Sequence, residues 1–565
     1  MPAAFYPGRS RSVILLLGLL ALVANGYWWR LGRPVTLQDS SVKRIACVSY
    51  SPYRKSGQTP FDPHFIVSAA QIDVDLQTLS QRFDCVRTYS VSGGLEQVPA
   101  IARRYHMKVL LGIWLGRNRA DNETEVTRGI ALARQNRDIV PAVIVGNEVL
   151  LRGELSQSTL VDYIRRVRVA TGLPVTYADV WEFWLRYREV APAVSFVTIH
   201  ILPYWEDDPV PIEEAVAHVE AIRQRMQTAF PHQSILIGET GWPSEGRQRR
   251  GAVPSRVNQA RFMREFLNWA DKSHINYNVI EAFDQPWKRG LEGTVGGYWG
   301  IYDDHLHEKF PLQGPVTEAP HWMRGILAGG VIGLAFLAVG WLCAARSAAA
   351  WVILALAGDG VGAALLAQWR YMGFANRTGA EWALTGGMTA LSFITALMLA
   401  YRLSAWARPS EPSRAMSLIP GSRWPQIFAR PRSWSEAMGL AQFIWLFALS
   451  VVDLLLVFDP RYRDFPIFLF AAPIFGFWLL AVARATEGRD RSEPAAGLEE
   501  RFLSLGILVM SLLIVIIERP SNGSADLWSV MGVLLALSVL VRVRPRKSPR
   551  AVLGAHENER TDDHC

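Results

Sequence analysis

At 565 residues, half of them hydrophobic and with a formal net charge of +8, the chain is too long for one ordinary domain, and two or more units are expected. The basic excess would suit a nucleic-acid partner, but its distribution argues against one, because the densest basic segments lie between long apolar stretches, where positive charge sets membrane orientation. Of the four cysteines, Cys47, Cys85, Cys343 and Cys565, none has metal-ligand spacing; Cys47 and Cys85 fall on predicted neighbouring strands and are expected as buried free thiols, a bridge being the alternative in an oxidising compartment.

Residues 1–30 read as a membrane anchor with its N-terminus in the cytoplasm. Arg9 and Arg11 precede the apolar run Ser12 to Ala24, and Tyr27, Trp28 and Trp29 follow it as interfacial rings. A cleaved signal peptide is the alternative, with a poor small-residue cleavage pattern. Either reading exports the segment that follows.

Between Lys43 and Tyr302 eight strand candidates stand in order: 45–50, 84–90, 108–115, 142–148, 174–180, 195–201, 234–239 and 277–283. Amphipathic helical patterns separate them, such as Pro99 to His106 and Asn258 to Ser273. Alternating strands and helices imply a parallel sheet with right-handed crossovers. Eight units over residues 43–305 match a closed (β/α)8 TIM barrel in an α/β protein; an open doubly wound sheet is disfavoured because no GxGxxG turn follows the first strand.

Residues 306–322 are polar and read as a linker, and 323–541 as an all-α transmembrane region. Seven apolar spans are expected at 325–345, 349–369, 382–400, 440–458, 465–483, 503–517 and 527–541, of which 503–517 is short for a bilayer. With the anchor there are eight crossings, so both termini share one side. Arginines at 402, 408, 414, 423, 430 and 432, four more within 484–501 and the VRVRPRK start of the tail all fall on the N-terminal side. The positive-inside rule then makes that side cytoplasmic. The reading is a multi-pass protein of the inner membrane, with the barrel in the periplasm of a Gram-negative cell. The charged tail, 542–565, is expected to be disordered. Asp359 and Asp453 lie inside expected spans and are candidate functional acids there, with a buried structural pair or a misplaced span boundary as the other readings.

Barrel sites form where strands end. Those ends supply Tyr50, Arg87, Tyr89, Trp114, Asn147, Glu148, Asp179, Trp181, His200, Tyr204, Glu239, Trp242, Glu281, Asp284 and Lys288. The runs AVIVGNE and ILIGE each deliver a carboxylate to a loop, so Glu148 and Glu239 form a candidate glycosidase pair. The surrounding rings suit the apolar faces of sugars. His200 is read as a rim histidine. No HxH or HExxH spacing suggests a metal, no GxSxG elbow suggests a serine nucleophile, and no cofactor is expected.

GNE at the fourth strand, GETGWPS at the seventh and EAFDQPWK at the eighth resemble glycoside hydrolase family 17, over about residues 43–305. The resemblance implies a β-1,3-glucan-active barrel with a retaining mechanism, Glu148 as general acid/base and Glu239 as nucleophile. It places Glu281 and Lys288 among auxiliary polar groups, whereas Gln285 stands where many members carry a further Glu. Tyr50, Arg87, Trp114, Asn147, Asp179, Trp181, Tyr204, Trp242 and Asp284 complete the expected substrate-binding set, Asn147 being suited to the sugar 2-hydroxyl. On this reading Glu239 keeps Glu148 protonated until the glycosyl-enzyme forms. The barrel-plus-membrane layout resembles rhizobial cyclic β-glucan modification proteins. Expected partners are a β-glucan, the lipid bilayer and a membrane glucan synthase. A non-catalytic glucan sensor and a glucan-export component are the alternative functions.

Overall fold

The computed structural model describes residues 7–343, 345, 347–405, 434–487 and 497–540. The arginines expected at 408–432, at 489 and 491 and in the tail lie outside the described residues. Eight strands form one parallel sheet in sequence order: β1 (Val48–Ser49), β2 (Cys85–Arg87), β3 (Lys108–Ile113), β4 (Ala142–Asn147), β5 (Val175–Val180), β6 (Val197–His200), β7 (Ile235–Glu239) and β8 (Asn276–Tyr277). The sheet closes on itself: Ser49 N–H donates to the Val279 carbonyl at 2.9 Å, and Val279 N–H to Cys47 at 3.0 Å. The β1 and β8 ladders are shorter than the sequence runs implied. There the chain bends into loops whose hydrogen bonds, such as Ala282 N–H to Ser49 O at 2.9 Å, are irregular.

Valine and isoleucine dominate the strands because both faces are covered. Val109, Leu111, Val143, Val145, Val197, Ile199 and Ile237 are all buried. The crossover helices begin where a side chain satisfies a free N–H: Ser68 caps Ala69–Ser80, Asn118 caps Arg119–Gln135, Ser156 caps Gln157–Thr171 and Ser255 caps Arg256–Lys272. Gly172, at φ 62°, ends the Gln157–Thr171 helix in the left-handed conformation that glycine takes without a Cβ penalty.

Cys47 and Cys85 are joined by a disulfide, which corrects the expectation of free thiols. The register that pairs Val48 with Val86 sets the two cysteines opposite one another on adjacent strands. Residues 306–322 pack along the barrel: Phe310, Leu312, Val316 and Ala319 are buried, and Val316 pairs with Val35. Glu318 accepts from Arg256 N–H at 3.2 Å and Val257 N–H at 3.1 Å, placing a carboxylate on a helix N-terminus.

Among the described residues, eight helices are long and apolar enough to cross a membrane: Arg11–Gly32, Met323–Leu342, Ala348–Ala375, Gly379–Ser404, Ala437–Phe458, Ile467–Arg484, Leu498–Glu518 and Gly523–Leu540. The span expected at 503–517 is longer than its apolar run, because Glu499, Glu500 and Arg501 extend its first turn as helix. Helices Met323–Leu342 and Ala348–Ala375 pack through small residues, with Gly358 against Gly333 and Gly362 against Ala328 and Gly329. Inside the bundle Asp359 accepts from Asn25 Nδ2 at 2.6 Å, and the buried Asp453 accepts from Trp528 Nε1 at 2.8 Å. Both acids thus have partners on neighbouring helices, as a structural pair would.

The loops after β7 and β8 rest on the bundle. Arg289 donates to the Phe374 carbonyl at 2.7 Å, Glu245 pairs with Arg370 at 2.9 Å, and Gln248 donates to the Ser521 carbonyl at 3.1 Å. Arg247 is buried in a pair with Glu518. The strand-end face of the barrel is therefore turned toward the helices.

Candidate active site

At the carboxyl end of β4 the register against β5 shifts between Ile144 and Asn147, an irregularity that re-aims side chains. Gly146 has φ 82°, and a Cβ there would meet Val149 Cγ2 at 2.9 Å, so glycine fits the bend. Glu148 follows at φ 51°, with its N–H held by the Ala178 carbonyl at 2.8 Å. The GNE triplet thereby turns Asn147 and Glu148 into the cleft. At β7, a Cβ on Gly238 would lie 2.4 Å from Thr198 Cγ2, so glycine permits the close approach of β6 that brings His200 beside Glu239.

Arg87, on β2 and 1% exposed, ties the two acid-bearing strands together. It donates to Glu239 Oε1 at 2.9 Å and the Gly238 carbonyl at 2.8 Å through Nη1, and to Asn147 Oδ1 at 2.5 Å through Nη2. Tyr89 Oη donates to the same Glu239 oxygen at 2.8 Å. Both side-chain contacts fall on the same oxygen, Oε1.

His200 lies between the two acids. Its Nδ1 is 2.8 Å from Glu148 Oε1, and its Nε2 is 3.7 Å from Glu239 Oε1 and 3.5 Å from Arg87 Nη1. Because the arginine can only donate, the tautomer that fits carries its proton on Nδ1 and donates to Glu148. Donor atoms of Glu148, His200 and Glu239 all lie within 4.8 Å of one another, a spacing that could also hold a metal ion. The guanidinium already on Glu239 Oε1 opposes a cation there. Sequence spacing gave no sign of this cluster, since its members come from three strands.

Burial disfavours ionisation of Glu148, but the His200 hydrogen bond, with the charges of Arg152 and Arg87, outweighs it and holds the carboxyl below its usual range. The sequence reading took His200 as a rim histidine, and its place on Glu148 is what the structure adds. Glu281 accepts from Lys288 at 2.9 and 3.0 Å, and burial pushes its carboxyl up to about 7 against the pull of that ammonium. Burial works against the Lys288 charge, but Glu281 and Glu292 outweigh it and raise its pKa.

The cleft encloses about 1020 Å³, and Tyr50, Tyr89, Trp114, Asn147, Glu148, Trp181, His200, Glu239, Glu281 and Lys288 line it. Its volume lies at the upper end of the roughly 300–1,000 Å³ of small-molecule sites. Trp114 presents 37% of its surface there, beneath the Arg152 guanidinium at 4.5 Å. Five expected contacts are corrected. Trp242 is fully buried with Nε1 on the Val253 carbonyl at 3.0 Å, and the buried Tyr204 donates to Arg247 O at 2.6 Å. Asp284 pairs with Lys309 at 2.7 Å, and Asp179 accepts from Tyr177 and Val180, so each supports the loops from behind the cleft. Arg87 likewise acts through its partners. Gln285 is buried, accepting from Ser51 at 3.0 Å and Trp287 at 2.7 Å. Trp205, which the sequence offered as an acceptor-side ring, lines the cleft, and Trp287, Glu292 and Trp299 do so beyond the expected set, as do Arg461 and Tyr462 from the helical half. The last two carried no sequence signal, being distant from any strand end.

Residues 47–300 match the family model of the BtgE/BtgC glycoside hydrolase domain. The chain is 26% identical over 271 residues to a glucan 1,3-beta-glucosidase of Arthroderma benhamiae, covering 43% of this chain and 83% of that protein. It is 25% identical over 268 residues to a glucan 1,3-beta-glucosidase of Saccharomyces cerevisiae, covering 43% and 85%. Among solved structures, a glycoside hydrolase family 17 beta-1,3-glucanosyltransferase from Rhizomucor miehei is similar at a TM-score of 0.42 and 23% identity, over 48% of this chain and 98% of that chain.

Proposed function

We propose that the glycoside hydrolase domain of residues 47–300 is a retaining enzyme that cleaves β-1,3-glucosidic bonds in glucan, with Glu239 as nucleophile and Glu148 as general acid/base. The observation that carries this reading is the approach of the two carboxylates to within 4.8 Å at the floor of a ring-lined cleft. Retaining pairs sit about 5–5.5 Å apart, close enough for one to attack while the other protonates; inverting pairs leave room for a water. The names of the similar fungal glucosidases support the choice of glucan.

In the first half-reaction Glu239 Oε2 forms a bond to the anomeric carbon as the glycosidic bond breaks, and the proton of Glu148 goes to the departing oxygen. Arg87 and Tyr89 keep Oε1 solvated by fixed donors, so Oε2 alone is presented. The His200 hydrogen bond is the largest of the contacts that hold Glu148 low. A sugar oxygen that takes over this carboxylate and expels water raises it toward the protonated form. In the second half-reaction Glu148 takes a proton from the attacking hydroxyl. Water gives hydrolysis, and a sugar hydroxyl gives transfer to a longer glucan.

The site is further proposed to face the outside of a cytoplasmic membrane. Counting crossings from an inside N-terminus, Phe374, the 459–466 segment and residues 519–522 fall on the outer side, and these segments touch the barrel. The Cys47–Cys85 disulfide also suits an oxidising compartment. Such tethering fits remodelling of the cell's own periplasmic glucan.

Incubation of the purified full-length chain in detergent with β-1,3-gluco-oligosaccharides tests the reading. Products with retained anomeric configuration are expected, longer ones marking transfer and shorter ones hydrolysis. Glu239→Gln and Glu148→Gln should each remove nearly all turnover while the chain stays folded, with Glu239→Gln melting lower because the buried Arg87 loses its carboxylate partner. Inverted products, or normal turnover in either variant, would sink the assignment.

A further inference from the structure

The cleft wall is not built by the barrel alone. The segment 459–466 joins helices Trp434–Phe458 and Ile467–Glu487 of the apolar half, and its Arg461 and Tyr462 line the same cavity as Glu148 and Glu239. Three features fix this segment. Asp464 accepts from Thr294 of the barrel and from Tyr371 of helix Ala348–Ala375. Arg247 donates to the Arg463 carbonyl, and its guanidinium lies 4.7 Å from the ring of Phe465. The chain at Tyr462 passes so close to the loop after β8 that a Cβ on Gly293 (φ +71°) would lie 2.3 Å from the Tyr462 carbonyl.

Seated in this way, the segment adds to a platform begun by the barrel. Trp205 and Trp299 stack with ring centroids 6.3 Å apart and planes 18° apart. Tyr462 meets Trp205 edge-on at 5.9 Å, and the Arg461 guanidinium lies 5.8 Å from the Trp205 ring and 5.9 Å from that of Tyr462. Tyr462 nevertheless stays 40% exposed and Arg461 half exposed, so both keep surface free toward the cavity. Rings backed by a hydrogen-bond donor are the combination that binds a sugar, with stacking on one face and a fork of N–H groups for its hydroxyls.

We propose that Arg461 and Tyr462 form, with Trp205 backed by the buried Trp299, a glucosyl-binding subsite contributed by the membrane-spanning half, so that the apolar helices complete the enzyme rather than only anchor it. This rests on the glucan-cleaving reading above. It gives the bundle a physical role, since the helices hold the 459–466 segment over the loops after β6 and β8. It also places one stretch of the bound glucan between the barrel and the membrane surface.

The test uses the full-length chain in detergent with a graded series of β-1,3-gluco-oligosaccharides, and the variants Tyr462→Ala, Tyr462→Phe and Arg461→Ala. Tyr462→Ala should lower kcat/KM about tenfold on the longer members, mainly through KM, with a smaller loss on the shortest, and Tyr462→Phe should restore most of it. Arg461→Ala should show the same dependence on length. A loss equal at every length overturns a subsite in favour of a structural role, and unchanged kinetics in both alanine variants overturns it outright. Absence of turnover in the unsubstituted chain would instead remove the glucan-cleaving reading itself.

Discussion

The coupling between Arg87 and Glu239 can be separated into a structural and a chemical part. Arg87→Met removes the guanidinium but keeps most of the volume. The Glu239 side chain, 10% exposed, is then left with Tyr89 as its one remaining side-chain donor among those described. Breaking a buried charge pair from one side costs about 3–5 kcal/mol, because the surviving charge is left uncompensated. Asn147 also loses its donor, so the upper half of that range is expected. For a domain of this size each kcal/mol moves the melting temperature by roughly 2–4 °C, which gives a fall on the order of 10 °C or more. In Arg87→Met/Glu239→Gln the charge is gone, and about half or more of the loss should return while turnover stays near zero. Thermal unfolding of the four proteins of this cycle, beside turnover on gluco-oligosaccharide, supplies the measurement. A melting temperature unchanged in Arg87→Met, or a double variant no more stable than the single one, would refute the reasoning.

Three further outcomes are expected. His200→Leu removes the donor that lowers the Glu148 carboxyl, so its pKa rises and the basic limb of the kcat/KM profile should move to higher pH; an unmoved limb would contradict the role given to His200. Burial raises Asp179 to about 7 from 3.8, so the folded chain holds a proton there that the unfolded chain gives up above about pH 4. The stability it contributes is full below that pH and is lost as pH rises through 7, by about 1.4 kcal/mol per unit and so on the order of 4 kcal/mol. Asp179→Asn should therefore melt higher relative to the unsubstituted protein at pH 8 than at pH 5, and a difference that does not vary with pH argues against a raised Asp179. Reduction of the Cys47–Cys85 disulfide, with 38 residues of sequence separation, should cost up to about 4 kcal/mol, read as a lower melting temperature in reductant; no change would mean that the bridge adds nothing.

Much of the site was legible because its chemistry lies at strand ends. An apolar run that stops at a carboxylate leaves few alternatives, and Glu148 and Glu239 are found in one cleft. The rings and auxiliary acids were harder to place. Trp242 and Tyr204 follow strand ends as Trp114 and Trp181 do, but a loop can turn its ring inward or back against a helix. Only packing decides, and it placed Trp242 against Phe262 and Tyr204 against Trp299. Asp284 read as a cleft acid because Lys309, the cation that covers it, comes from a segment that looked like a linker.

The sequence by itself determined the alternation of strands and helices, the eight apolar helices and the two acids. These follow from local period, length and residue type, which do not depend on distant contacts. Tertiary structure alone decided the Cys47–Cys85 bridge, the placing of His200 between the acids and the entry of Arg461 and Tyr462 into the cleft. Each joins segments far apart in the chain, through strand register in the first two and the seating of barrel loops on helix ends in the third. Such distances are set by closure of the sheet and by packing between the two halves, and no local pattern encodes them.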